Sequence, residues 1–335
     1  MSEVARRHLP GLVDWLYYDA RMSVQVFFVL GGYLAARALA PDLRPRMQSP
    51  AGAIWKRFGR LALPCFAAVL ISVACAAVAR TLIDDPSLPA PPTLTQLLAH
   101  ALLLHDVLGY DALSAGVWYV AIDLQLFALM AVLLWAARLA PERLQRAAAL
   151  VLITTAASAS LYVINRDTSW DIYAPYFFGV YVLGAAAFWT TAPGRSPLWL
   201  VLVTAIVAGA LAIHFRERVA FAALIALAIC IVRYSGLIRR WPESRVLAYL
   251  GRISFSVFLI HYPVSMLMNA AVQPLFGDDP VANIGGLIVT WMLSIGAGAV
   301  FYRHVESRIG TTPRSHGMSE RARNGSDDNR IIATS

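Results

Sequence analysis

Only a handful of side chains in this sequence combine reactive chemistry with an apolar setting, and they define its candidate site. Asp123 sits in GVWYVAIDLQLF, about two turns into an apolar stretch, with Gln125 beside it and Trp118 five residues earlier. An ionisable group inside a membrane span costs several kcal/mol unless it is paired or hydrated. Asp123 is therefore either a site acid or an interfacial residue that caps or pairs near a helix end. His261, in GRISFSVFLIHYPVS, lies deep in another apolar stretch, nine residues beyond Arg252. A neutral imidazole there either hydrogen-bonds a neighbouring helix or lines a cavity opened by Pro263, whose ring frees the carbonyl of Leu259.

The cations offer a second kind of chemistry. Arg57 and Arg60, in KRFGRLALP, are three apart and share a helical face at the end of a span. They mark the cytoplasmic side, or they grip the phosphates of a cytosolic donor, which guanidinium groups bind in bidentate fashion. Glu306, in FYRHVESR, is expected to pair with Arg303 or Arg308. His105 and Asp106 resemble an acid–base pair by adjacency alone, and adjacent residues on a helix do not face each other. His8 is the remaining histidine close to a possible site entrance.

The elements that must hold these residues are membrane helices. Of 335 residues, 59% are hydrophobic and 14% charged, where a soluble domain carries about a quarter charged. All basic residues except Lys56 are arginine, and the net charge is +8. No basic helix or aromatic platform for nucleic acid accompanies that charge, so the arginines read as loop decoration. Apolar stretches recur at 23–40, 60–80, 117–137, 147–164, 174–192, 197–214, 219–232, 250–272 and 282–302. Backbone polar groups cannot stay unpaired in lipid, so each reads as a helix. The expected fold is all-α, a polytopic bundle of about nine spans in one membrane domain, 23–310.

Loop charges orient that bundle. Residues 41–60, 138–146, 233–245 and the tail after 302 are arginine-rich, whereas 81–115 and 273–281 carry no Lys or Arg. The loop at 41–60 and the C-terminus are therefore expected to be cytoplasmic. Residues 1–22 then fall outside despite Arg6, Arg7 and Arg21, as an outer loop whose preceding span is expected upstream. Within 81–115, four prolines hold the chain extended, and TLTQLLAHALLLHDVLGY is expected to form an interfacial or re-entrant helix bearing His100 and His105. Residues 311–335 read as a disordered cytoplasmic tail. Cys65, Cys75 and Cys230 form no CxxC pair, which disfavours a disulfide framework or a metal site. Internal repeats and phosphate-cradling glycine loops are likewise not apparent.

Five stretches in order resemble the motifs of acyltransferase family 3, the membrane acyltransferases that include O-antigen acetylases. They are VQVFFVLGGYLAAR (24–37), KRFGRLALP (56–64), GVWYVAIDLQLF (116–127), GRISFSVFLIHYPV (251–264) and FYRHVESRIG (301–310), together covering residues 20 to 310. The resemblance implies a ten-helix membrane enzyme. It takes an acyl group, usually acetyl, from cytosolic acyl-CoA and passes it to a hydroxyl of a carbohydrate or glycolipid acceptor of the cell envelope. It would place Arg57 and Arg60 on the donor side, Trp118 and Asp123 on the acceptor side, and His261 among the catalytic residues. It implies acyl-CoA as co-substrate, no metal, no nucleic-acid partner, and a bacterial inner membrane.

Three departures accompany the resemblance. Asp123 stands where the family commonly has Glu, and Gly31 where it commonly has Ser. The family's first helix, carrying an Arg and a His taken as general base, has no counterpart here, and His8 follows too few residues to take its place. The competing expectations are an inactive or regulatory paralogue, or a transporter of a polar solute or lipid-linked sugar working through the His261 and Asp123 region.

Overall fold

The computed structural model describes residues 2–15, 20–192, 198–236 and 244–309. The tail 311–335, the 193–196 loop and part of the 233–245 loop lie outside the described residues. All regular structure among the described residues is helical. Two short helices, α1 (Ser2–His8) and α2 (Pro10–Asp14), precede α3 (Val24–Leu39). Then come α4 (Pro50–Leu82), α5 (Leu94–Ala101), α6 (Val117–Ala137) and α7 (Gln145–Tyr162). The bundle is completed by α8 (Ala174–Thr190), α9 (Leu198–Ile213), α10 (Glu217–Tyr234), α11 (Arg245–Phe276) and α12 (Pro280–Phe301). A π turn, Tyr302–Glu306, and one further turn extend α12 to Ile309.

Each of the nine apolar stretches is occupied by one helix of the bundle. Five of these helical segments are long and apolar enough to cross a membrane: Pro50–Leu82, Val117–Ala137, Glu142–Arg166, Arg245–Phe276 and Pro280–Ile309. α4 exceeds its apolar stretch by ten residues at its start because Lys56, Arg57 and Arg60 are accommodated within the helix. Hydropathy registers the hydrocarbon-facing part of a helix and misses its polar turns.

Alternation of the chain is visible in the contacts between loops. Arg138, just after α6, donates to the Met47 carbonyl in the α3–α4 loop. Tyr234 Oη, at the end of α10, donates to the Thr190 carbonyl at the end of α8, 2.8 Å away. At the opposite end of the helices, Arg216 before α10 donates to the Leu161 carbonyl of α7 at 2.7 Å. The N-terminal stretch is a helical pair rather than a plain loop. Val4 is buried, and Arg7 meets Asp278 in the α11–α12 turn at 3.2 Å. His8 is exposed on that pair.

α3 and α8 pack backbone to backbone, and glycine is the reason. A Cβ on Gly32 would lie 1.8 Å from the Tyr181 carbonyl oxygen, and one on Gly184 would lie 1.7 Å from that of Val29. Small residues at such a crossing let dispersion and close packing hold helices that lipid does not drive together. One apolar core gathers α3, α6, α7, α8, α9 and α10. A second joins α4, the start of α6, α11 and the segment before α6, through Cys65, Leu103, Leu113, Val117 and Leu259. α6 belongs to both and couples them.

The segment before α6 folds back against α4. Ser72 Oγ donates to the Leu113 carbonyl at 2.7 Å. Ser72 lies roughly 33 Å along α4 from its start, and α4 runs on to Leu82, so the segment folds back beside the far part of α4. It is not one helix over TLTQLLAHALLLHDVLGY: α5 ends at Ala101, and Leu103 adopts φ 57°. That left-handed residue reverses the chain and brings His100 and His105 face to face, with ring centroids 4.3 Å apart.

Candidate functional site

A largely buried ion pair joins the two residues expected on opposite sides of the site. Arg57 Nη2, from α4, lies 2.9 Å from Asp123 Oδ1 and 2.6 Å from Oδ2, on α6. The Asp123 side chain is 6% exposed and that of Arg57 is 25% exposed. Sixty-six residues of sequence separate the partners. The need for a partner was readable, since each is a charge in an apolar helix, but its identity was not. Arg57 and Arg60 do not act as one face: Arg60 is exposed, and its charge bears on Glu306. Glu306, expected to pair with Arg303 or Arg308, accepts the Ser256 hydroxyl.

Four helices build the surroundings of the pair. Phe127, one turn along α6, puts its ring 4.6 Å from the guanidinium carbon and shields that face. Tyr181 of α8 and Tyr119 of α6 are close enough for their hydroxyls to interact electrostatically with both charges. On α3, a Cβ at Gly31 would sit 3.1 Å from Asp123 Oδ1 and 3.1 Å from Tyr181 Cε2. Glycine at 31 therefore lets carboxylate and ring close over the helix. The two departures from the family pattern, Gly31 and Asp123, are neighbours in space. Both tyrosines escaped sequence reading because tyrosine on an apolar helix is ordinary.

His261 lies midway along α11, half-buried. Its Nδ1 is 2.6 Å from the Phe258 carbonyl oxygen. A carbonyl only accepts, so Nδ1 carries a proton and donates it, which leaves Nε2 as the ring's other nitrogen for a further partner. The same carbonyl is 3.3 Å from where Gly116, the residue before α6, would carry a Cβ. His261 is thus placed at the start of α6. α11 continues through Pro263 as a helix rather than ending there.

An aromatic bridge links His261 to the ion pair. The Phe258 ring is 5.9 Å from His261 and 5.4 Å from Tyr119, and Tyr119 meets Trp118 edge-on at 6.4 Å. Trp118 also contacts Phe177 of α8. Gln125, read as Asp123's companion, instead accepts the Ala174 N–H at 3.1 Å and fixes the start of α8. Of the expected site residues, Arg57 and Asp123 meet directly, and His261 and Trp118 are linked to their surroundings through the Phe258 and Tyr119 rings, whereas Arg60 is exposed and bears on Glu306. An apolar cavity of about 220 Å³ between α8, α9 and α10 includes none of these residues in its lining.

The histidine pair before α6 forms a separate centre. His100 Nδ1 donates to the Gln96 carbonyl at 2.8 Å, and its Nε2 accepts the Leu113 N–H at 3.1 Å. Both nitrogens are used, and only the neutral ring fits that pattern. His105 is fully buried, and neither nitrogen has a hydrogen-bond partner. Its Nε2 lies 3.3 Å from Asp106 Oδ2 without hydrogen-bond geometry. Burial, reinforced by the neighbouring His100, pushes His105 down to about 4. Burial lowers His100 as well and raises Asp106.

Among the described residues, no three His, Cys, Asp or Glu side chains cluster to hold a metal ion. The three cysteines are free thiols. No curated protein and no solved structure matches the chain. A family model described as an acyltransferase domain matches residues 5–303, a span that takes in both core clusters, the ion pair and His261. The chain belongs to acyltransferase family 3.

Proposed function

We propose that this acyltransferase is a membrane-embedded O-acyltransferase. It moves an acyl group, acetyl in the simplest case, from acyl-CoA to a hydroxyl of a carbohydrate or similar cell-envelope acceptor. The observation that carries the reading is Arg57: a guanidinium held inside an apolar bundle through one nitrogen, with donors to spare for an anionic co-substrate. Phosphate and thioester oxygens are acceptors that suit those donors. Arg60, exposed one turn further along α4, adds a second cation for the donor phosphates.

The reaction needs one proton acceptor. His261 Nε2 takes the proton from the acceptor hydroxyl as its oxygen attacks the thioester carbonyl carbon. A C–O bond forms and the C–S bond breaks. Coenzyme A leaves as thiolate and recovers a proton from the imidazolium. Trp118 and Asp123 line the acceptor side, where an indole face suits a sugar ring and a carboxylate can orient its hydroxyls. In this reading the bundle spans the membrane nine times over the present sequence, with the 41–60 loop and the C-terminus on the cytosolic side of a bacterial inner membrane.

The test is transfer of label from radiolabelled acetyl-CoA to an envelope carbohydrate fraction by the protein in proteoliposomes. Acceptor-dependent label in the carbohydrate supports the reading. Label that never exceeds the protein-free control, with solute movement across the vesicle instead, would replace it with a transporter.

A further inference from the structure

Arg57 commits a single nitrogen to Asp123, because both carboxylate contacts are made by Nη2. Its Nε is buried and has no hydrogen-bond partner. Tyr181 is 0% exposed, and its hydroxyl is also without a partner. Both groups flank the same carboxylate: Arg57 Nη2 is 2.9 Å from Asp123 Oδ1, and the Tyr181 ring edge shares the Gly31 surface with that oxygen. A buried N–H or O–H left without an acceptor costs roughly 1–3 kcal/mol. Nothing in the packing requires a hydroxyl at this position, since a phenylalanine ring would fill the same volume. Two buried donors beside one carboxylate, both without acceptors, match an oxygen that arrives with a ligand.

We propose that Tyr181 Oη and Arg57 Nε form an oxygen-binding subsite in which the tyrosine donates a hydrogen bond to an oxygen of the acyl donor. This rests on the donor reading of Arg57 given above. The shared chemistry is an oxygen acceptor, supplied either by the acyl carbonyl or by a phosphate of coenzyme A. Tyr162 is the contrast within the same bundle: its hydroxyl donates to the Ile206 carbonyl at 2.7 Å and serves the fold.

The experiment measures affinity for free coenzyme A and for a non-transferable ketone analogue of acetyl-CoA. It compares wild type, Tyr181→Phe and Tyr162→Phe, and records the melting temperature of each without ligand. Tyr181→Phe should melt no lower than wild type and bind the ketone analogue about tenfold more weakly, the loss of one hydrogen bond. Weakening confined to the analogue assigns the oxygen to the carbonyl, and equal weakening for free coenzyme A assigns it to phosphate. Tyr162→Phe should melt lower and keep wild-type affinity for both. Unchanged affinity in Tyr181→Phe overturns the subsite while leaving the donor reading standing. A lowered melting temperature in Tyr181→Phe without ligand also overturns it, because the hydroxyl would then serve the fold. A wild type that binds neither probe overturns the donor reading and the subsite together.

Discussion

The Arg57–Asp123 centre and the His100–His105 stack meet the same physical problem with opposite solutions. Both put ionisable side chains inside an apolar bundle, where an unpaired charge is expensive. The first keeps its charges and pairs them across α4 and α6 at 2.6 Å. The second stays neutral, with His100 locked between the Gln96 carbonyl and the Leu113 N–H. A neutral imidazole satisfied by backbone groups anchors the segment that leads into α6. A retained ion pair is a poor way to stabilise a fold, since well-packed apolar residues of similar volume usually do as well. Under the function proposed above, that difference makes the charged centre the site of chemistry and the histidine stack a joint of the fold.

The largest expected effect breaks the charged centre from one side. Asp123→Leu leaves the Arg57 charge uncompensated and should cost about 3–5 kcal/mol, read as a loss of melting temperature in detergent. His261→Gln comes next. It removes the proton acceptor, so the transfer rate should fall about 100-fold or more while affinity for acyl-CoA is kept. Wild-type turnover in that variant would return His261 to packing. Gly31→Ala places a methyl group 3.1 Å from Asp123 Oδ1 and from the Tyr181 ring, so both must shift by a few tenths of an ångström, and the change in melting temperature reads that shift against the gain in helix propensity. Measured together with Asp123→Asn, its effect should be strongly non-additive.

The neutral centre is probed by pH. His105 is held below its ordinary range in the folded protein, at about 4, so the unfolded chain binds its proton first. Its contribution to stability is complete above about pH 6.5 and declines as pH falls from there toward 4. Melting temperatures measured across that window should slope downward with acid, and His105→Phe should flatten the slope. An unchanged slope would mean that other groups carry the acid response. The smallest effect belongs to Arg60→Ala, which should raise KM for acyl-CoA a few-fold with kcat kept.

How much of this was legible in sequence depends on the kind of information involved. The 117–137 stretch is α6 residue for residue, and 174–192 is α8 to within two residues, because a period of apolar side chains dictates a helix in lipid. The turn at Leu103 was hidden, since leucine gives no local signal for a positive φ. The fold imposes it, and with it the stacking of two histidines that a continuous helix would separate. For the site, residue types pointed correctly to charges needing partners. The partners lie on other helices, so packing of α3 against α8 was needed to bring Tyr181 over Gly31 beside Asp123.

Under the proposed function, the Arg57–Asp123 pair is kept for binding and chemistry rather than for stability. The variant Arg57→Met combined with Asp123→Leu removes both charges while filling the space they leave. Its melting temperature and its affinity for acetyl-CoA, measured on the same detergent-solubilised sample, test that claim directly. The double variant should melt within a few degrees of wild type and no longer bind acetyl-CoA. A double variant that binds acetyl-CoA as wild type does would contradict that claim.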